Sequence, residues 1–171
     1  MKDYFSMFAL YNRWANERLY EAAAGVSDND YRTERGAFFG SLHGTLNHLV
    51  VADRIWMRRF TSEGPVHKKL NEIVYDDLAG LAAARREEDE RIIFYIDTLT
   101  DSDVAGTFTY APVSNPVDVT QPLASALAHF FNHQTHHRGQ AHGLLTAIGG
   151  RDFAPSFDLV LFQRETGVGM G

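Results

Sequence analysis

The sequence predicts an all-α protein built as a four-helix bundle, and three observations support this fold class. Apolar residues recur every three or four positions over four long segments, which is the period of an amphipathic helix. Turn-forming glycines and prolines separate these segments, and one long crossover joins the third helix to the fourth. Because 171 residues are enough for one domain with a real core and few for two, we expect a single domain over residues 1–171.

The first two helices are predicted from their apolar stripes and their end signals. Helix one is expected from Lys2 to about Ala24, with Gly25 at the C-cap position. Residues 27–30 have the pattern of a capping box that opens a short turn, and residues 36–40 break the chain again. Helix two is expected to follow Ser41, a plausible N-cap, and to end near Phe60.

Helix three is predicted from about Asp76 to Leu99, after a loop over residues 68–75. Its middle is highly charged and contains opposite charges four residues apart, such as Arg85 with Asp89. Such pairs are typical of a solvated helix face. We therefore expect the charged middle to be exposed.

The next segment, residues 101–121, contains prolines that exclude a continuous helix. We expect a short extended stretch over Thr107–Tyr110, followed by a loop. Helix four is predicted from about Pro122, in its first turn, to Ile148 before Gly149-Gly150. Pro155-Ser156 then predicts the start of a short last helix over residues 157–164.

Composition excludes several classes of protein. The formal charge of -6 and the pI near 5.7 argue against nucleic acid as a partner, since nucleic-acid binders usually present a basic face. Because the chain has no cysteine, it has no disulfide or thiolate ligand, and any thiol chemistry needs an external thiol. Asp3 stands where a signal peptide is positively charged and no segment approaches a membrane span, so we expect a cytoplasmic protein without a membrane partner.

Histidines cluster in helix four and indicate a metal site. Five of the eight fall within fourteen residues: His129, His133, His136, His137 and His142. The i, i+4 spacing puts His133 on one face with both His129 and His137, and helical phase leaves either pair open. A stable site needs a third ligand from elsewhere. His48, beside the apolar stripe of helix two, is the natural candidate, although a lone histidine there is more often a hydrogen-bonded core residue.

The available ligands narrow the type of metal centre. The chain contains neither His-Glu-x-x-His nor Glu-x-x-His, so it lacks the ligands of a zincin or of a carboxylate-bridged di-iron bundle. A mononuclear site remains. Three neutral imidazoles without thiolate suit zinc or nickel, with copper and iron as further options. Such a site leaves a coordination position open, which is the pattern of a catalytic centre.

Three stretches of the chain together resemble the DinB family, and the similarity covers nearly the whole sequence. They are Asn-His-Gln-Thr-His-His-Arg-Gly-Gln at 132–140, Leu-Asn-His-Leu-Val-Val-Ala-Asp-Arg-Ile-Trp at 46–56, and Phe-Thr-Tyr at 108–110. This family is grouped with bacterial thiol S-transferases and with mycothiol-dependent maleylpyruvate isomerase. The resemblance implies an up-down-down-up bundle with a metal bound by His48, His133 and His137. It demotes His129 and His136 to a supporting or packing role.

The polar residues near the proposed ligands each allow two interpretations. Gln140 shares a face with His133 and either orients a bound water or ligand ring, with His136 as a second supporting residue, or simply packs as a polar side chain. Arg138 and Asp53 either form a buried pair near the metal or reach solvent separately. Gly139, inside a helix, predicts a close approach of another backbone.

The leading functional hypothesis is a metal-dependent enzyme of the thiol S-transferase type. A divalent cation would bind the sulfur of a low-molecular-weight thiol, lower its pKa and present a thiolate to a small electrophile. The alternatives are a hydrolase that uses the same site, a non-catalytic metal-binding stress-response bundle, and a bis-histidine haem protein. The expected partners are small molecules, and the resemblance implies a homodimer.

Overall fold

A computed structural model describes residues 1–112 and 117–170, and residues 113–116 of the predicted loop lie outside it. Four long helices carry the fold, with three short helices and a two-stranded sheet added in the described ranges. In chain order the elements are α1 Lys2–Ala24, α2 Asp28–Arg32, α3 Leu42–Thr61, α4 Leu78–Thr98, α5 Asp101–Ala105, β1 Thr107–Tyr110, β2 Val119–Pro122, α6 Leu123–Gly149 and α7 Leu159–Thr166.

The four predicted long helices are confirmed as α1, α3, α4 and α6, with ends close to those expected. Ser41 caps α3 as predicted, because its hydroxyl accepts the Gly44 N–H at 3.1 Å. Asp77 caps α4 in the same way through the Gly80 N–H at 2.7 Å. Pro122 is the N-cap residue of α6 rather than part of its first turn, and the last helix begins after Asp158 rather than at Pro155-Ser156.

The connection between α4 and α6 has more structure than was predicted. Residues 101–105, expected to be non-helical, form α5, which starts with a reciprocal capping box between Thr100 and Asp103. The predicted extended stretch is β1, and it pairs antiparallel with a second strand, β2, with Thr109 opposite Thr120. Their hydroxyls lie 2.8 Å apart. The connection therefore ends in a small hairpin beside the start of α6.

Contacts along the helices give the direction of each one. In α3 and α6 the order of contacts is reversed, since His48 meets His137 and Trp56 meets His129, so these helices are antiparallel. The other contact pairs run in the same order in both partners: Phe5 with Phe131 and Asn12 with Arg138 for α1 and α6, Asp53 with Arg85 and Thr61 with Arg91 for α3 and α4. The long helices therefore run up, down, down and up, as expected for the bundle.

The long helices α3 and α4 follow one another in the chain, lie side by side and run in the same direction. Residues 62–77 therefore form a crossover that runs back along the bundle. Asn47 of α3 fixes this crossover. Its amide oxygen accepts the N–H groups of Val74 at 2.9 Å and Tyr75 at 3.0 Å, and its amide nitrogen donates to the Tyr75 carbonyl at 3.1 Å. The crossover is thereby held against α3 close to His48.

A buried polar layer separates two apolar parts of the core. One apolar part contains Trp56 and Phe130, and the other contains Leu46 and Leu145. The layer between them consists of seven buried side chains: Asn12, Asn16, Asp53, Arg85, Asp89, Gln134 and Arg138. The central bundle is therefore held together by hydrogen bonds and ion pairs as well as by apolar packing.

The expectation of a solvated middle for α4 is wrong on the face that packs against α1 and α3. Arg85 and Asp89 are only 2% exposed and Glu88 only 5%. The predicted Arg85–Asp89 pair exists at 3.0 Å, but it is buried and is joined by Asp53, whose carboxylate lies 2.5 Å from Arg85. Partners on other helices compensate the desolvation of these charges.

Arg138 and Asp53 are both buried but do not form the predicted pair. Arg138 donates to the amide oxygen of Asn12 and lies 5.3 Å from the centre of the Tyr11 ring. Asp53 is bound instead by Arg85 and Gln134. The two side chains therefore contact different neighbours.

No helix among the described residues combines the length and the apolar character that crossing a bilayer requires.

Candidate metal centre

The antiparallel packing of α3 against α6 brings His48, His133 and His137 together. One ring nitrogen of each lies within 4.8 Å of those of the other two. The ring centroid of His137 is 4.4 Å from those of both His48 and His133, and the His48 and His133 centroids are 5.3 Å apart. These three histidines form a cluster that could hold a metal ion.

His129, which helical spacing allowed as an alternative partner of His133, is outside this cluster. Its ring lies 5.9 Å from that of His133 and 5.0 Å from that of Trp56. It therefore occupies the next turn of α6, against an aromatic side chain of α3. The i, i+4 pair that joins His48 is His133 with His137.

One carbonyl oxygen fixes the orientation of His48. The Nδ1 atom lies 2.8 Å from the carbonyl oxygen of Leu70 in the crossover, so Nδ1 carries the hydrogen and donates it. The lone pair is then on Nε2. That nitrogen is buried and has no hydrogen-bond partner among the residues that the structure describes. A buried acceptor without a partner is costly, and a cation shared with the other two rings would satisfy it.

Gln140 orients His137 and is itself contacted by His136. His137 Nδ1 lies 2.8 Å from the Gln140 side-chain oxygen, and the Gln140 nitrogen lies 3.2 Å from His136 Nε2. Both contacts are satisfied when His137 donates to Gln140 and Gln140 donates to His136. Nε2 of His137 is then left with its lone pair. The exposed His136 thus contacts the cluster through Gln140 and also directly, since its ring lies 4.8 Å from that of His137.

Burial keeps the three rings neutral at neutral pH. Desolvation, reinforced by the neighbouring histidines, lowers the pKa of His133 to about 3. Desolvation also lowers the pKa of His48 to about 4, and the Leu70 carbonyl offsets only part of the effect. The pKa of His137 is lowered for the same reason, against the opposing effect of Gln140. Neutral imidazole is the form that binds metal ions.

Phe39, in the segment before α3, forms one wall of the cluster, and no pattern in the sequence predicted this contact. Its ring stacks on His48 with centroids 3.7 Å apart and meets the edge of His137 at 5.5 Å. Gly44 permits this position, because a Cβ there would lie 2.1 Å from the Phe39 carbonyl oxygen. The close approach predicted at Gly139 is wrong: within the described ranges, no atom lies within 4 Å of a Cβ built there.

The buried polar layer begins directly beside the cluster. Gln134, which follows His133 in α6, donates from its amide nitrogen to Asp53 at 2.9 Å. Asp53 accepts from Arg85 through its other oxygen. The Asp53 carboxylate therefore supports the helix packing next to the three histidines and is not one of the clustered ligand atoms.

Comparisons with known proteins give a family match and a curated relative. The family model described as "DinB family" matches residues 1–167. The curated protein named Protein DinB, from Bacillus subtilis (strain 168), is 22% identical to this chain over 176 residues. That alignment covers 97% of this chain and 98% of the relative. The chain belongs to the DinB family.

Proposed function

We propose that this protein is a metal-dependent enzyme of the thiol S-transferase type, with a divalent cation bound by His48, His133 and His137. The observation that carries the proposal is the buried Nε2 of His48, which has no hydrogen-bond partner in the described residues and belongs to a cluster of three imidazoles. Three nitrogen ligands without thiolate favour zinc or nickel. A cation bound there would act as a Lewis acid that lowers the pKa of a coordinated thiol.

The protein's own residues prepare this site in two ways. The Leu70 carbonyl accepts a hydrogen bond from Nδ1 of His48, and the Gln140 side-chain oxygen accepts one from Nδ1 of His137. In both rings the lone pair is then on Nε2, on the opposite side of the ring. Phe39 covers the face of His48 and limits the access of water from that side. Both features favour a rigid ligand set that needs little reorganisation when the ion binds.

The thiol in this reaction has to come from outside the chain, because the sequence contains no cysteine. A low-molecular-weight thiol as cosubstrate and a small electrophile as acceptor fit the open coordination position of a three-histidine site. The family resemblance supports the same chemistry. We rank hydrolysis lower, because Asp53, a carboxylate next to the cluster, is bound by Arg85 and Gln134 and is not available as a general base.

Metal binding is tested by elemental analysis of protein purified without a histidine tag. We expect about one zinc or nickel per chain in the wild type and loss of most of it in His48→Ala, because two ligands on α6 hold an ion much less tightly than three. His142→Ala is the matched control, since it removes a histidine of α6 that is outside the cluster. Metal-free wild type, or equal metal content in both variants, would refute the site.

Thiol chemistry is tested separately with metal-loaded protein. Zinc-loaded and nickel-loaded samples are incubated with 1-chloro-2,4-dinitrobenzene and with glutathione, bacillithiol or mycothiol, and thioether formation is followed. We expect at least one thiol to react faster than in the His48→Ala control. If none is bound or consumed while metal is present, the transferase assignment is wrong and a non-catalytic metal-binding bundle is favoured. The homodimer stays a prediction that light scattering can test.

A further inference from the structure

A cavity lies toward the C-terminal end of α3, about two helical turns from His48. Its volume is about 380 Å³, and it is bounded by α3, the start of the crossover and β1. The side chains that matter for its chemistry are Arg58, Arg59, Val66, His67, Thr109 and Tyr110. Among the residues that the structure describes, no aspartate or glutamate lines it. The polar side of the cavity is therefore basic.

Arg59 is a cation without an anionic partner in residues 1–112 and 117–170. Its guanidinium lies between two aromatic rings, 4.5 Å from the centre of Trp56 and 4.7 Å from that of Tyr110. It makes no ion pair there, unlike Arg54, Arg85 and Arg91. Partial burial lowers the pKa of Arg59, against the opposing effect of Tyr110. The rings hold the guanidinium in place but leave its N–H donors available.

His67 supplies a second, independent polar group to the cavity. Its Nδ1 lies 2.8 Å from the carboxylate of Glu72, which also accepts the N–H groups of Lys68 and Lys69. These contacts lower the pKa of Glu72 to about 2, so that carboxylate is ionised. The His67 side chain is only 7% exposed, and its Nε2 is buried with no partner in the described part of the chain. A ligand in the cavity would satisfy this nitrogen.

The cavity is connected to the histidine cluster through packed rings. Trp56, which contacts Arg59, also packs against His129, and His129 packs against His133. Ile55, on the cavity wall, is seven residues after His48 in α3, which is two helical turns or roughly 10 Å along the axis. The separation along α3 therefore matches the length of a small molecule of roughly 10 Å.

We propose that this cavity binds a carboxylate group of the small molecule whose reacting end lies at the three-histidine cluster. Arg59 donates to the carboxylate from its guanidinium, and His67 donates from Nε2. His67 would donate from Nε2 as the doubly protonated ring, with its Nδ1–H directed at Glu72. The inference rests on the proposed function for the position of the reacting end, whereas the carboxylate site depends only on the cavity.

The carboxylate site is tested with succinate and dimethyl succinate, which share a four-carbon chain and differ in charge because the ester masks both carboxylates. Dissociation constants are measured by ¹H–¹⁵N NMR titration of the protein as purified. We expect succinate to bind and to shift the Arg59 side-chain signal, and dimethyl succinate to bind at least about tenfold more weakly, as the loss of a charge-assisted hydrogen bond implies.

Variants test whether succinate binds in this cavity or on another cationic part of the surface. Arg59→Met retains the apolar stem between the two rings and is expected to weaken succinate binding by at least about tenfold. His67→Gln is expected to weaken it less, because the glutamine can still donate one hydrogen bond. Arg13→Met is the control, since it removes an arginine paired with Glu90 on the surface. Equal binding of the two probes, or an unchanged constant in Arg59→Met, would overturn the proposal.

A glutathione titration distinguishes failure of this proposal from failure of the proposed function. We expect glutathione affinity to fall in both His48→Ala and Arg59→Met, because its sulfur and its carboxylates use separate sites. If His48→Ala has no effect while Arg59→Met weakens both succinate and glutathione, the carboxylate site stands and the thiol site at the cluster is wrong. If only His48→Ala weakens glutathione and Arg59→Met leaves succinate binding unchanged, the cluster stands and the carboxylate site is wrong.

Discussion

Gly44→Ala tests whether backbone packing before α3 holds the wall of the histidine cluster in place. The new Cβ would lie 2.1 Å from the Phe39 carbonyl oxygen, which is 1.3 Å less than the 3.4 Å at which ordinary contact begins. The obstacle is backbone, so a side-chain rotation does not relieve it. Phe39 has to move by more than 1 Å relative to α3, and its stacking on His48 at 3.7 Å is lost.

The expected stability change is the sum of two opposing effects. Alanine favours the helix over glycine by about 1 kcal/mol, whereas overpacking of this kind costs about 1–3 kcal/mol. We therefore expect Gly44→Ala to be less stable than the wild type by up to about 2 kcal/mol. Metal affinity should fall as well, because His48 loses the stacked Phe39 ring that holds its orientation.

Urea denaturation and zinc titration of the same samples measure both effects. The matched control is Gly143→Ala in α6, where nothing among the described residues lies within 4 Å of the added Cβ. That control should be more stable than the wild type by up to about 1 kcal/mol, with unchanged zinc affinity. A Gly44→Ala protein as stable as Gly143→Ala, with zinc affinity intact, would show that the close contact with Phe39 has no energetic consequence.

Two further predictions concern pH and the buried polar layer. In metal-stripped protein the pKa values of His48 and His133, about 4 and about 3, lie below the ordinary 6.5, so the unfolded chain binds more protons in acid. The contribution of neutral His48 and His133 to the free energy of unfolding is therefore complete above pH 6.5 and is lost as the pH falls toward 4. Urea unfolding at several pH values checks this, and a His48→Ala profile as steep as that of the wild type contradicts it. Asp53→Ala leaves Arg85 buried without that partner and should lower the free energy of unfolding by about 3–5 kcal/mol. Exposed Asp97→Ala is the control, and an equal effect in both variants argues against the buried pair.

Helical periodicity carried most of the fold prediction, because each long helix has an apolar stripe that must face the core. The same spacing left His129 or His137 open as the partner of His133, with His48 as the candidate third ligand, and the family resemblance selected His48, His133 and His137. Cap residues such as Ser41 gave helix ends within a residue or so of those observed. These features are local in sequence, which is why they could be predicted.

The missed features depend on residues that are distant in sequence. Arg85 and Asp89 show the same i, i+4 pattern whether exposed or buried, and their burial is decided by Asp53, which is 32 residues from Arg85. The Leu70 group that orients His48 is a backbone carbonyl, so the residue type carries no signal for it. Gly44 and Gly139 look alike in the sequence, but only Gly44 has a neighbouring backbone in contact.

The crossover over residues 62–77 has a consequence for the cavity. Parallel neighbouring helices oblige the chain to travel the length of the bundle, and on the way this one segment meets His48 through Leu70 and contributes His67 to the cavity. The proposed metal ligands themselves belong to α3 and α6. Substitutions within the connecting segment can therefore change the side chains that line the cavity, while the histidines of α3 and α6 and the helical frame stay the same.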